Sequence, residues 1–324
     1  MELATTADTT ALSYWLNWRF LLCAIWVFTP MVVAVLLLFK YEDLDYWKFR
    51  RGGTQEDIKK EFCGDEGWRP CLKVIHPLWL MAYRVTAFFL LLAILIAKVF
   101  VSGGAIYYYY TQWTFTLLTI YFGFGSLLSI YGSFWCYKTR AMGLGVQHVR
   151  SDAENGTYVL LQHEENNQEE NYILPVAVKC SYVFQAIFQT NAGAVMLTDC
   201  IYWLVIFPFL NIKDYKMSAL TVSMHSVNAV LLLGDAMLNC LQVPFVRMSL
   251  VVLWTGAFVT FQWIIHACIS IWWPYPFLDL SSPYAPVWYL MVGLMHIPCY
   301  AFFTLIVGLK RHLLSKWFPH SCQC

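Results

Sequence analysis

Long apolar runs alternate with short polar or charged stretches along the chain. A helix that crosses a bilayer needs about 20 predominantly apolar residues, and seven runs reach that length. Their approximate bounds are residues 20–39, 78–101, 113–135, 179–208, 217–240, 244–272 and 285–309. The pattern predicts an all-α protein, a polytopic membrane helix bundle with about seven transmembrane helices.

The composition excludes an ordinary soluble domain. Hydrophobic residues make up 59% of the chain and charged residues only 13%, whereas a soluble domain carries about 25% charged residues. The first apolar run is too long for a signal peptide and lacks a cleavage site of small residues, so we interpret it as a true span. The sequence has no Walker loop, HExxH or paired CxxC motif. We therefore expect no cofactor, no metal site and no nucleic-acid partner; membrane lipids are the expected partners, and protein partners stay open.

Positive charge is distributed unevenly between the predicted loops. Residues 40–77 contain eight Lys or Arg residues, whereas residues 101–112 contain none. Because loops rich in Lys and Arg tend to stay in the cytosol, the amino terminus is predicted to lie outside the cell or in a lumen. The carboxyl terminus is then cytosolic. The protein is expected in either the plasma membrane or an endomembrane.

The segment between predicted spans three and four, about residues 136–178, is acidic and rich in Asn and Gln. Such a composition is typical of a mobile segment, and the charge distribution places this one in the cytosol. It contains the sequon Asn155-Gly156-Thr157. A cytosolic location predicts that Asn155 carries no glycan.

The 11 cysteines do not form a disulfide framework by their spacing. Most of them, including Cys240, lie singly in predicted spans, where a thiol acts as a small apolar side chain. Cys63 and Cys71 share a predicted cytosolic loop, where we expect free thiols, with a zinc pair as the alternative. Cys322 and Cys324, in the tail, are either palmitoylation sites or unmodified thiols.

Two cations lie inside predicted span two. Arg84 and Lys98 are each within a few turns of one end of this span. Their long side chains are therefore expected to reach the nearest interface and to orient the helix.

Polar side chains of predicted span five fall on one helix face, because His225, Asn228, Asp235 and Asn239 follow one another at intervals of 3, 7 and 4 residues. Such a face cannot contact lipid and must line the bundle interior or a wet cavity. Spans four and six carry similar stripes, whose polar members are Gln185, Gln189, Asp199, Thr255, Gln262, His266 and Ser270.

Depth indicates which of these groups can meet. With a rise of about 1.5 Å per residue, His225 lies roughly 12 Å and Asp199 roughly 13 Å below the outer face. Asn228 is one helical turn from His225, whereas Asp235 lies about 15 Å further along the axis. We therefore expect Asp199 or Asn228, but not Asp235, to hold the His225 imidazole.

Threonines open predicted span three at the same face. A histidine oriented by Asp or Asn can remove the proton of a threonine and make it a nucleophile. Thr111 and Thr114 could therefore meet His225 in a catalytic site. Hydrogen bonding between helices is the alternative, because His, Asn, Asp and Thr commonly join membrane helices.

Several short motifs resemble the rolling stone and androgen-induced membrane protein superfamily. They are, in order, QWTF at 112–115, YWLVIFP at 202–208 and MHSVNAVLLLGD at 224–235, with WRPCLKVIHPLWLMAYR at 68–84 before them. The resemblance covers residues 68–312. It implies a six-span core at 68–312, a 1–67 extension containing span one and the charged loop, and a 313–324 cytosolic tail.

The androgen-induced members of that superfamily hydrolyse fatty acid esters with a threonine nucleophile and a histidine. The resemblance implies these roles for Thr114 and His225, with Thr111 as the alternative nucleophile. Asp199 has no counterpart in the family motif, so its supporting role depends on depth alone. Acyl chains are then expected among Leu117, Tyr121 and Phe122.

Two functions from different classes remain open. One is an intramembrane lipid-ester hydrolase. The other is a non-enzymatic transporter, receptor-like or membrane-organising protein that uses the polar face of span five, for example as a proton path through Asp199, His225 and Asp235. A metal site formed by His225, His266 and His296 is a further alternative.

Overall fold

A computed structural model describes residues 8–50, 67–152, 161–210 and 219–323. The α-helices are Leu12–Trp15, Trp18–Arg50, Pro77–Ser102, Tyr110–Asp152, Leu161–Ile201, Ala219–Met224, Val227–Leu238, Met248–Cys268 and Ala285–Trp317. Three short 3₁₀ helices, Gly104–Tyr108, Phe245–Arg247 and Pro276–Leu278, lie between them. A π-helical segment, Tyr202–Leu210, extends the fifth of the α-helices.

The predicted membrane bundle is confirmed. Seven helical segments are long and apolar enough to cross a bilayer, and we number them as spans one to seven: Trp18–Lys40, Pro77–Ser102, Tyr110–Phe134, Cys180–Pro208, Ala219–Leu238, Phe245–Cys268 and Ala285–Trp317. The protein is therefore an all-α, multi-pass integral membrane protein.

Span four forms the centre of the bundle. In its most apolar stretch 61% is buried inside the protein, against 11% in the corresponding stretch of span two. Span four packs against spans three, six and seven. Gly193 permits close packing on spans six and seven, because a Cβ atom there would lie 2.7 Å from Val251 and 2.9 Å from Tyr300. Span one packs against spans six and seven, so it forms part of the same bundle as the predicted six-span core.

The helices of spans three and four continue beyond the membrane segments, to Asp152 and from Leu161. The described part of the segment at about 136–178 is therefore helical, which its composition did not indicate. Asn155 lies outside the described residues.

The expectation that the Arg84 side chain reaches the nearest membrane–water interface is wrong. Its side chain is fully buried and forms an ion pair with Asp235 of span five, Nε to Oδ1, at 2.8 Å. Tyr121 and Asn239 donate hydrogen bonds to the other carboxylate oxygen of Asp235, and Arg84 also donates to the Gly67 carbonyl at 2.6 Å. An opposite charge lies within reach of Arg84 across the helix interface, which is more favourable than a long path to water.

The same end of the bundle is closed by main-chain contacts. Cys71 N–H donates to the Leu238 carbonyl at 2.7 Å, and Gln323 N–H donates to the Cys71 carbonyl at 2.9 Å. Lys310 is buried and donates to the carbonyls of Ala236 and Asn239. Its positive charge thus lies at the carboxyl end of the span-five helix, where the helix dipole favours a cation.

Cys240 differs from the expectation of a separate thiol, whereas Cys71 is a free thiol as expected. Cys240 is disulfide-bonded. The Cys71 thiol is buried and donates to the Met237 carbonyl at 3.2 Å, and its burial raises its pKa. Cys63 and Cys324 lie outside the described residues, whereas Cys322 is half-buried and its backbone pairs with Leu72.

Candidate functional site

Span five is not one continuous helix. It consists of Ala219–Met224 and Val227–Leu238, and the break falls at His225 and Ser226. The Trp203 indole donates to the freed His225 carbonyl at 2.8 Å. Trp203 belongs to the π-helical end of span four, so two irregular helix segments meet here. In membranes such backbone irregularity is tolerated only where protein or a cavity satisfies it, and π-helical segments are frequent at functional sites.

Three of the sequence-predicted residues meet at this break. His225 Nδ1 lies 3.5 Å from Asp199 Oδ1, and the Asn228 amide donates to the same oxygen at 3.0 Å. The His225 ring stacks on Tyr202 with 3.7 Å between ring centroids. The second carboxylate oxygen of Asp199 is buried without a hydrogen-bond partner among the described residues. We call Asp199, His225 and Asn228 the His225 cluster.

The two predicted threonines have different neighbours at the start of span three. Thr111 borders a cavity that His225 also borders, and it lies beside Tyr275. Burial raises the pKa of Tyr275 to about 12, although hydrogen bonding with Thr111 opposes the shift, so this phenol stays protonated at neutral pH. Thr114 is buried beside Tyr110 and makes no hydrogen bond of ordinary length within the described residues.

A second polar cluster was not predicted as a unit. His296 Nε2 of span seven lies 2.9 Å from Thr255 Oγ1 of span six, and the Tyr110 hydroxyl lies 2.9 Å from the same oxygen. We call Tyr110, Thr255 and His296 the His296 cluster. The sequence indicated Thr255 only as a member of the polar stripe of span six. It indicated His296 only as a ligand of the alternative metal site. Their contact joins two helices, and no local spacing indicates it.

The surroundings of His296 determine its neutral tautomer. Nδ1 lies 3.0 Å from the Val292 carbonyl and 3.1 Å from the Gly293 carbonyl. A carbonyl can only accept, so Nδ1 carries the proton and Nε2 accepts from the Thr255 hydroxyl. Tyr110 must then donate to Thr255. The threonine is thereby held with its proton directed at a base, which is the arrangement of an activated nucleophile.

The two clusters face one small cavity of about 50 Å³. His225, Thr111, Tyr110 and Thr255 all border it. The walls of the cavity are mainly apolar, with these four side chains among its polar groups. A cavity needs about 10–15 Å³ and a few polar partners to hold one water molecule. The cavity therefore has room for a water molecule beside these polar side chains.

Thr255 also borders a second space, and His296 borders this second space with it. This groove, of about 330 Å³, lies between spans one, six and seven. Trp26 and Trp288 stand at its mouth, each 41% exposed. Because the mouth lies within membrane-spanning segments, the groove opens toward the hydrocarbon of the bilayer.

The structure also bears on the expected acyl-chain residues and on the alternative of a metal site. Tyr121 and Phe122 are fully buried in the core, and Tyr121 stacks on Phe184 and bonds Asp235, so they do not line an acyl-chain site. The three histidines considered as metal ligands have separate surroundings: Asp199 and Asn228 around His225, Trp273 and the Gln262 carbonyl around His266, and Thr255 around His296.

Comparisons with protein-family models, with curated proteins and with solved structures found no match to this chain. Its function is therefore argued from the two clusters, the cavity and the groove.

Proposed function

We propose that this membrane protein hydrolyses lipid esters within the bilayer, with Thr255 as the nucleophile and His296 as the general base. The single observation that supports this assignment best is the 2.9 Å contact between Thr255 Oγ1 and His296 Nε2, at the inner end of a groove open to lipid. A nucleophile and a base within 2.6–3.2 Å, with the base oriented by a third group, is the usual signature of covalent catalysis.

In the first step, His296 Nε2 takes the proton of the Thr255 hydroxyl while Oγ1 bonds to the ester carbonyl carbon. The bond from that carbon to the alcohol oxygen breaks, and the alcohol leaves with the proton from His296. In the second step, water gives a proton to His296 and its oxygen bonds to the acyl carbon. The Thr255–acyl bond then breaks, the proton returns to Thr255, and a fatty acid is released.

The two remaining groups have supporting roles in this proposal. The Tyr110 hydroxyl donates to Thr255 Oγ1 and so directs the Thr255 proton at His296; in the second step it stabilises the negative charge that develops on Oγ1 as the acyl bond breaks. His225, held beside Asp199, borders the cavity from which water approaches. We assign it to orienting this water in the second step.

The sequence-based assignment, Thr114 with His225, remains a competing proposal. Its support is the family resemblance, together with the buried hydroxyl of Thr114 beside Tyr110. Thr111, its alternative, shares the small cavity with His225. The two assignments predict different reactive threonines, so one labelling experiment separates them.

An alkyl fluorophosphonate probe is expected to label the purified protein in lipid nanodiscs at Thr255. Thr255→Ala and His296→Gln should abolish labelling, whereas Thr111→Ala and Thr114→Ala should retain it. Thr260→Ala is the matched control, because Thr260 lies on the same span and bonds only the Gly256 carbonyl of its own helix.

The result is read by mass spectrometry of the labelled peptide. Loss of label in Thr114→Ala and His225→Gln, with retention in Thr255→Ala, would establish the sequence-based assignment instead. An unlabelled wild-type protein that also releases no fatty acid from long-chain esters would remove the hydrolase proposal.

The non-enzymatic alternative has less specific support. The His296 cluster joins spans three, six and seven, as hydrogen bonds between membrane helices often do. A proton path through Asp235 would require that carboxylate to leave its ion pair with Arg84, and both side chains are fully buried. The labelling experiment also tests this alternative, since a purely structural network carries no reactive hydroxyl.

We also propose that the amino terminus lies outside or in a lumen. The Lys and Arg distribution supports this orientation. The disulfide of Cys240 opposes it, because Cys240 lies at the end predicted to face the cytosol and stable disulfides form in oxidising compartments.

Asn155 is expected to stay unglycosylated in cells, whereas a sequon in a tag fused before Met1 is expected to be modified. Glycosidase treatment followed by gel mobility distinguishes the two sites. Glycan on Asn155 combined with an unmodified tag would reverse the orientation.

A further inference from the structure

We propose that the groove between spans one, six and seven binds one fatty acyl chain of a membrane lipid, which enters sideways from the bilayer. The chain's ester group then lies at Thr255, at the junction between the groove and the small cavity. The assignment of the ester rests on the proposed function, whereas binding of the chain is measured independently of catalysis.

The lining of the groove indicates the chemical class of this ligand. Its walls are mostly apolar side chains and backbone, and the Trp26, Trp288 and Tyr289 rings also border it. Two further polar side chains, Thr255 and His296, contact each other at 2.9 Å. Ligand sites of this kind measure about 300–1,000 Å³ and use a few polar groups to orient an apolar ligand. A hydrocarbon chain with one polar group at its end matches that pattern.

The same lining argues against a charged headgroup. No Lys, Arg, Asp or Glu is among the described residues that border the groove. A phosphate or ammonium drawn down to Thr255 would lose its water without gaining a counter-charge, which costs several kcal/mol in an apolar site. The ligand is therefore an uncharged ester, such as a monoacylglycerol, and not a phospholipid whose headgroup must reach the reacting atoms.

Span one supplies one wall of the groove. Trp26, Val27 and Pro30 border it, and Met31 packs so closely on Gly256 that a Cβ atom there would lie 2.4 Å from the Met31 sulfur. Span one is thus held against span six just where the chain would lie. Span one lies outside the segment that carries the family resemblance. We therefore assign it the role of determining which acyl chains fit into the groove.

Gly293 provides a way to fill the groove without disturbing the helix packing. It borders the groove, and a Cβ atom built on it meets no other atom within 4 Å. Gly308, further along the same span, also has open space around its Cβ but does not border the groove. The two glycines form a matched pair for substitution.

The experiment uses a monoacylglycerol whose chain carries a photoreactive diazirine and an alkyne, incorporated into nanodiscs with the full-length protein. Cross-links that excess unlabelled monoacylglycerol removes are expected on peptides containing Trp26 and residues 292–297. Gly293→Leu should lower them by about tenfold or more, since a filled pocket discriminates in the range of 10- to 200-fold, while Gly308→Leu should match the wild type. Thr255→Ala should retain them.

Cross-links spread evenly over the lipid-facing spans, or unchanged in Gly293→Leu, would overturn the acyl-chain site. Its failure and that of the hydrolase proposal are distinguishable. Competable cross-links in the groove without any ester turnover would support the acyl-chain site and contradict the hydrolase proposal. Ester turnover that Gly293→Leu leaves unchanged would support the hydrolase proposal and contradict the acyl-chain site.

Discussion

Replacing His296 with glutamine is expected to lower the turnover of a long-chain ester by about 10²- to 10⁴-fold, the usual contribution of a general base. Glutamine can accept the Thr255 hydrogen bond in place of Nε2, but it cannot carry the proton through the reaction. The loss should therefore appear mainly in kcat. Fatty acid release by the purified variant in nanodiscs, measured together with its melting temperature, tests this expectation.

Two controls separate catalysis from folding. His266→Gln removes another buried histidine, which stacks on Trp273 at 3.7 Å and contacts the Gln262 carbonyl, and it should leave turnover within a few-fold of the wild type. Thr255→Ser keeps the hydroxyl and should retain most of the activity. If His296→Gln stays active while His225→Gln does not, His225 is the base and the sequence-based assignment is correct.

Replacing Asp235 with leucine is expected to destabilise the folded protein by about 3–5 kcal/mol, the usual cost of removing one partner of a buried ion pair. The Arg84 guanidinium would remain fully buried without its counter-charge, and Tyr121 and Asn239 would lose an acceptor. Thermal or chemical unfolding in detergent micelles measures the effect. Activity per folded molecule should change little, because Asp235 lies outside both clusters.

Lys98→Met is the control for removing a charge from a membrane helix. Lys98 lies on the same span as Arg84 but is only half-buried, so we expect a change within about 0.5 kcal/mol. The double variant Arg84→Met, Asp235→Leu should be more stable than the sum of the two single effects predicts. Strict additivity would mean that the two side chains do not stabilise the fold as a pair.

The candidate site was only partly predictable. The depth argument used only the helical rise and the order of the spans, and the structure places Asp199 and Asn228 beside His225. Chain order makes spans four and five neighbours, so the pairing of their side chains can be inferred. Thr255 and His296 belong to spans six and seven, which are also consecutive. Thr255 lies on the polar stripe of span six, but span seven has no stripe that marks His296 as its partner.

The break in span five could not be predicted from hydrophobicity. Residues 217–240 form one apolar run with a single polar face, and this pattern fits a continuous helix. The break at His225 and Ser226 is satisfied by the Trp203 indole from span four. A distant side chain therefore makes an irregular backbone tolerable at this depth, and hydropathy does not record such a contact.

Arg84 illustrates the same limit. A cation a few turns inside a span is compatible with two arrangements. Its side chain can reach the membrane–water interface, or it can form a buried ion pair. The choice depends on whether an opposite charge lies on the adjacent helix at the same depth and on the facing side. Asp235 lies at the same depth as Arg84 and on the facing side of span five. The facing side, however, depends on how span five is rotated about its own axis.

The sequence by itself determined that the chain is a bundle of seven membrane helices, because bilayer thickness sets a length of apolar sequence that can be counted locally. It also indicated that spans four, five and six turn polar faces inward, since polar groups cannot face lipid. The tertiary structure alone decided which groups meet: His296 with Thr255, Arg84 with Asp235, and the three spans that enclose the groove. Those contacts depend on the rotation, tilt and packing of helices far apart in the chain, which result from many weak interactions and leave no local pattern.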